Sequence, residues 1–178
     1  MELTIPDLSL VVLIGASGSG KSTFAARHFL PTQVLSSDYF RGLVSDDEND
    51  QGASGDAFDV LHYVAGKRLA AGRVTVVDAT NVQQHVRARL IALAREHNVL
   101  PVAVVLDLPE DVCVARNAAR PDRDFGARVV RRREVFENHV RLPTDRVAGI
   151  VGVIPPPASG KPATAADRGN ATSRWFLP

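Results

Sequence analysis

The densest chemical signal in the chain is an octapeptide, Gly15-Ala16-Ser17-Gly18-Ser19-Gly20-Lys21-Ser22. It follows the pattern G-x-x-x-x-G-K-[ST], whose glycines let the main chain turn tightly enough for successive N–H groups to point inward at phosphate oxygens. Lys21 supplies a point charge for the β- and γ-phosphates of a nucleoside triphosphate, and the Ser22 hydroxyl is a ligand for Mg²⁺. A helix starting near Ser22 adds the positive end of its dipole. The bland alternative is a chance Gly/Ser-rich turn. Context weighs against it, because an apolar strand-like run comes before the octapeptide and a helical pattern after it.

Three other segments carry chemistry that such a cradle could use. Ser37-Asp38-Tyr39-Phe40-Arg41 sets a carboxylate and a guanidinium three residues apart. Asp38 can accept the proton of an attacking hydroxyl, and Arg41 can clamp an anionic group of the acceptor. The same spacing also describes an N-cap aspartate with a surface ion pair, and spacing does not choose between them. In Asp78-Ala79-Thr80-Asn81 the aspartate can hold Mg²⁺ through water, while Thr80 and Asn81 offer neutral hydrogen bonds to phosphate or sugar. An Asx-turn closing a strand is the alternative there. Finally, seven arginines (116, 120, 123, 128, 131, 132, 133) face only Asp122 and Asp124, a local excess of five positive charges. Arg116 and Arg120 share a helical face, Pro121 ends that helix and Arg123 follows in the turn. A basic lid of this kind can close over a triphosphate and stabilise charge on the transferring phosphoryl group. The triplet 131–133 cannot all face one ligand, so some of it is solvated.

The elements that must position these residues alternate. Strands are predicted at Leu8–Ile14, Gln33–Ser36, Arg73–Val77 and Leu100–Leu106, with a weaker one within Val147–Ile154. Helices are predicted at Ser22–Leu30, from Asp56 to Gly72, at Gln83–His97, at Glu110–Ala119 and from Gly126 to about Arg141. Ser45–Asp56, acidic and glycine-containing, is predicted as a solvated loop. Continuous β-branched strands alternating with helices imply βαβ units and a parallel sheet, in whose crevice the strand C-termini line the ligand site. Residues 1–154 are therefore expected to form one domain, with a lid at about 111–126. Pro155 onward is expected to be a linker or tail.

Composition agrees with one globular domain: 178 residues, 45% hydrophobic, 23% charged, net charge +1. Disordered and collagen-like classes are excluded, and no apolar run reaches the ~18 residues of a membrane span. The N-terminus, with Glu2 in place of a basic segment, does not read as a signal peptide. The single cysteine, Cys113, reads as a packing residue and points to a reducing cytoplasm. The five histidines show no metal-ligand spacing.

Gly15 to Thr23, Ser37-Asp38-x-x-Arg41, Asp78-Ala-Thr-Asn81 and Arg116-Asn117…Arg120-Pro121-x-Arg123, in that order and spacing, resemble the polynucleotide 5′-kinase domain, nearest the kinase module of bacterial polynucleotide kinase-phosphatase. The resemblance runs from about Leu8 to Val153. It implies a three-layer P-loop phosphotransferase of the adenylate-kinase group that takes ATP and Mg²⁺. By it, Asp38 is the general base for an RNA or DNA 5′-hydroxyl and Arg41 holds the phosphate after the terminal nucleoside. Residues 15–23 (Gly15, Ala16, Ser17, Gly18, Ser19, Gly20, Lys21, Ser22, Thr23) cradle the nucleotide. Lys21, Arg116 and Arg123, with Arg120 beside them, neutralise its phosphates; Ser22 and Asp78 serve the metal. The bacterial repair protein continues into phosphatase and nucleotidyltransferase domains, so this chain is expected to be a free-standing kinase or an isolated module, with phosphatase or ligase proteins as partners. Two alternatives share the scaffold: a small-molecule kinase of gluconate, nucleotide-sugar or antibiotic type, and a non-catalytic ATP-binding module.

Overall fold

A computed structural model of the protein describes residues 2–6, 8–119, 150–151 and 174–176. The predicted helix from Gly126, with Arg120, Arg123 and the arginine triplet, lies outside these residues. So does the expected tail, except for its last strand.

After a short strand β1 (Glu2–Thr4), β2 (Ser9–Ile14) is buried along all six residues. Its side chains alternate between two cores. Leu10, Val12 and Ile14 join one with Leu61, Ala65, Leu69, Leu90 and Ala94; Val11 and Leu13 join the other with Phe24, Ala25 and Phe29. A strand apolar on both faces is thus covered on both faces, which is the three-layer arrangement. The first core is roofed by α2 (Ser37–Ser45), α3 (Ser54–Ala70) and α4 (Gln84–Glu96), the second by α1 (Lys21–His28). In α3 the buried residues Ala57, Leu61, Ala65 and Leu69 recur every fourth position, a stripe one helix face can bury whole. Gly72, at φ +66°, lets the chain leave that helix toward the sheet.

Among the described residues five strands make the parallel sheet, in the order β3 (Val34–Ser36), β4 (Thr75–Asp78), β2, β5 (Leu100–Val105), β6 (Ile150–Val151). The P-loop strand is therefore central. A second, antiparallel pair joins β1 to β7 (Arg174–Phe176), so three residues of the expected tail are paired strand. Among the described residues no helix is long and apolar enough to cross a membrane.

His28 packs against Phe24 with ring centroids 4.5 Å apart and the planes tilted by 52°. Burial, helped by Arg27, lowers its pKa to about 4. The unfolded chain therefore takes up a proton near pH 6.5 that the folded chain refuses until about pH 4. Stability should fall as pH drops through that window. Melting curves of the protein and of His28→Phe should diverge toward acid, the variant losing less.

Candidate active site

The phosphate loop is built by steric necessity. Gly18 and Gly20 stand at φ +83° and +95°, where a side chain is strained. A Cβ on Gly15 would lie 2.6 Å from the Leu106 carbonyl oxygen and 2.6 Å from Ser19 Oγ. Lys21, 8% exposed, folds its Nζ onto the carbonyls of Gly15 (2.9 Å) and Ala16 (2.8 Å). Ser22 and Thr23 are exposed in the first turn of α1. Ser19 Oγ is buried with no hydrogen-bond partner. An orphaned hydroxyl inside a loop of left-handed glycines, at a helix N-terminus beside a lysine, fits a triphosphate.

Strand register brings the other candidates to the same edge. Ser36 is paired with Asp78, and Asp78 with Leu13, so the exits of β3, β4 and β2 stand level across the sheet. Two interstrand spacings, ~10 Å, separate the exit toward Asp38 from the exit toward Gly15. Asp38 does not cap α2. The cap is Ser36, whose Oγ accepts from the Tyr39 N–H at 3.4 Å, and Asp38 sits inside the first turn, where its charge also suits the dipole. Asp38 and Arg41 form an ion pair, and it is not a surface pair: their side chains are 23% and 8% exposed. Arg41 Nε also donates to the Glu48 carbonyl at 2.8 Å, which ties the acidic loop to α2. That loop is shorter than predicted, running only between Ser45 and Ser54. Asp47 Oδ1 accepts from Asn49 N and Asp50 Oδ1 from Gly52 N, both at 2.8 Å, and α3 starts at Ser54.

At the end of β4, Asp78 is 5% exposed. A single carboxylate and an exposed hydroxyl are the donor types that suit Mg²⁺, which keeps several waters and leans on substrate phosphates, and not a protein-caged metal. Asn81 departs from the sequence reading. It is 2% exposed, at φ +48°, and its Nδ2 donates to the Leu13 carbonyl at 2.8 Å, so the side chain splices the exits of β4 and β2 instead of facing a ligand. Gly15 N completes the splice on the Thr80 carbonyl at 3.1 Å. Arg87, missed in the sequence, is 5% exposed and donates to the carbonyls of Asn81 (3.0 Å) and Val82. Its only visible signal was an arginine in a helical repeat. Burial lowers its pKa from the usual arginine range.

On the far side of the loop runs α5 (Glu110–Ala118), which carries Arg116, exposed in its last turn. Burial pushes the Cys113 thiol up, against a smaller opposing pull from the charges of Lys21 and Arg116. Gly18 of the loop lies directly against the Cys113 main chain, so α5 packs on the loop itself. Asp38 and Arg41 are brought together two strands away. Arg120 and Arg123 lie outside the described residues.

The sequence profile of an AAA domain, AAA_33, matches residues 10–141, most of the chain. This protein belongs to that family. None of the curated proteins matches it. Three solved structures are similar to this AAA_33 domain. A candidate kinase from Chloroflexus aurantiacus is 19% identical, with a TM-score of 0.53 over 70% of this chain and 78% of that one. A chain of the Pnkp1/Rnl/Hen1 complex is 23% identical, with a TM-score of 0.52 over 70% of this chain and 45% of that one. The protein described here therefore spans less than half of that relative. The Mycobacterium tuberculosis APS kinase CysC, in complex with AMPPNP and APS, is 24% identical, with a TM-score of 0.50 over 65% of this chain and 71% of that one. The AAA_33 domain has the α/β P-loop kinase fold.

Proposed function

We propose that this AAA_33 domain transfers the γ-phosphoryl group of ATP to a 5′-hydroxyl end of RNA or DNA. The observation that carries the reading is the ion pair of half-buried Asp38 with buried Arg41 just beyond the exit of β3, an exit level with Asp78 and the loop strand. Asp38 takes the proton of the 5′-hydroxyl, the oxygen attacks the γ-phosphorus, and the bond to the β–γ bridging oxygen breaks to release ADP. Lys21, Arg116 and Arg123 neutralise the phosphates. Mg²⁺, held through Ser22 and Asp78, would offset charge on the β- and γ-oxygens. Arg41 uses two of its five N–H donors on Asp38 and Glu48, and the remaining three suit the phosphate that follows the terminal nucleoside.

The reading takes residues 1–154 as the kinase unit, with a lid at about 111–126, and a reducing cytoplasm for its free Cys113. On this reading the acceptor is a nucleic-acid end and the partners are end-repair proteins such as a phosphatase or ligase; a chain of the Pnkp1/Rnl/Hen1 complex shares the fold. A second reading, a small-molecule kinase, draws on how deeply Arg41 is engaged: at 8% exposure its charge serves α2 and the Glu48 loop whatever the acceptor is.

The test is transfer of labelled γ-phosphate to single-stranded, nicked and recessed 5′-hydroxyl oligonucleotides, beside gluconate and other small acceptors. Arg41→Ala is expected to raise KM for the oligonucleotide at least about tenfold, the loss of one charge-assisted hydrogen bond, with KM for ATP held. Unlabelled oligonucleotides alongside a phosphorylated sugar or antibiotic would sink the assignment.

A further inference from the structure

One buried polar contact joins parts of the chain a hundred residues apart. Ser17 Oγ, in the phosphate loop, donates to Asn117 Oδ1 in α5 at 2.9 Å, and the two residues are 7% and 3% exposed. Of the nine residues of α5, only Cys113 and Asn117 are buried. Four apart, they lie on one helical face. At Cys113 the fit is main chain on main chain, since a Cβ on Gly18 would stand 2.3 Å from the Cys113 carbonyl oxygen. A helix pinned at a single point can still roll about it. The second point, one turn on, is a directional hydrogen bond, and Arg116 is the residue immediately before it.

We propose that Asn117 is a positioning residue: by accepting the Ser17 hydroxyl it fixes the roll of the last turn of α5 and so holds Arg116 against the phosphates in the loop. The inference rests on the ATP-dependent transfer proposed above. Its chemistry is that of a latch. The Ser17 hydroxyl is a donor whose partner must sit in one direction, and the acceptor is carried by the same turn as the cation.

The experiment compares the full chain with Asn117→Ala, Arg116→Ala and the double variant. A misplaced cation should cost kcat about 10- to 100-fold while KM for ATP stays within about threefold. The double variant is expected to be no slower than Arg116→Ala alone, because Asn117 acts only through its neighbour. Losses that multiply in the double variant, or wild-type kcat in Asn117→Ala, overturn the proposal; so does a loss of kcat that follows a fall in Tm across the set. Should the alanine variant fail to fold, Asn117→Leu fills the volume without offering an acceptor. It is expected to show the same loss of kcat, and wild-type turnover in that folded variant equally overturns the latch. ATP turnover is read both as transfer to a 5′-hydroxyl oligonucleotide and as ADP released without any acceptor. A protein that releases ADP but leaves the oligonucleotide unlabelled refutes the acceptor assignment, while the comparison of variants still decides the role of Asn117.

Discussion

Asp38→Asn should lower transfer to a 5′-hydroxyl oligonucleotide by about 10²- to 10⁴-fold, the range for loss of a positioned general base, while leaving nucleotide affinity within a few-fold. The separation is expected from the architecture. Asp38 departs from β3, whereas the cradle departs from β2, with β4 between them. Fluorescent-nucleotide titration checks affinity, and labelled-phosphate transfer checks turnover. The variant also leaves the mostly buried Arg41 guanidinium without its carboxylate partner, so Tm must be recorded with both. Full transfer by the asparagine variant would remove Asp38 from the chemistry and leave it as the internal partner of Arg41.

A second large effect is expected from one added methyl group. Gly18→Ala places a Cβ 2.3 Å from the Cys113 carbonyl at a backbone of φ +83°. Left-handed strain costs about 1–3 kcal/mol. Forcing an atom between loop and α5 adds about as much again. Tm is therefore expected to fall by roughly 5–15 °C for a domain of this size, with weakened ATP binding as loop and helix part. Gly55→Ala is the internal contrast. That glycine sits in α3 with nothing within 4 Å of a new Cβ, so the substitution should stabilise by about 0.5–1 kcal/mol. Thermal melts of the pair should move in opposite directions; a Gly18→Ala protein as stable as the parent would contradict the close approach of α5.

What could be read beforehand was whatever local backbone or periodic burial dictates. The loop was legible because glycines at fixed offsets answer a conformational need that no other residue meets, and β2 because a strand covered on both faces must be apolar throughout. The Asp38–Arg41 spacing was visible as well, though its burial was not: depth depends on the Glu48 loop folding back over Arg41, a contact seven residues away that no pattern encodes. Asn81 misled, because an asparagine that bonds a ligand and one that splices two strand exits have the same sequence. Arg87 was silent for a related reason. Its partners are main-chain carbonyls, which every residue possesses. Ser17 and Asn117 are separated by a hundred positions, and nothing short of the folded sheet says that they meet.

The order of the strands carries a consequence for how the protein comes into being. Because β4 inserts between β3 and β2, the first two strands of the sheet to be synthesised have no edge in common. A nascent polypeptide that has emerged only as far as residue 70 owns the whole glycine loop and the whole Asp38–Arg41 pair, yet lacks the strand that joins β2 to β3 in the sheet. The wedge that unites them is Thr75–Asp78, four residues made after both. Cradle and acceptor pair should therefore become a single cleft in one late, non-local event, and cotranslational ATP capture should begin only once that wedge has left the ribosome.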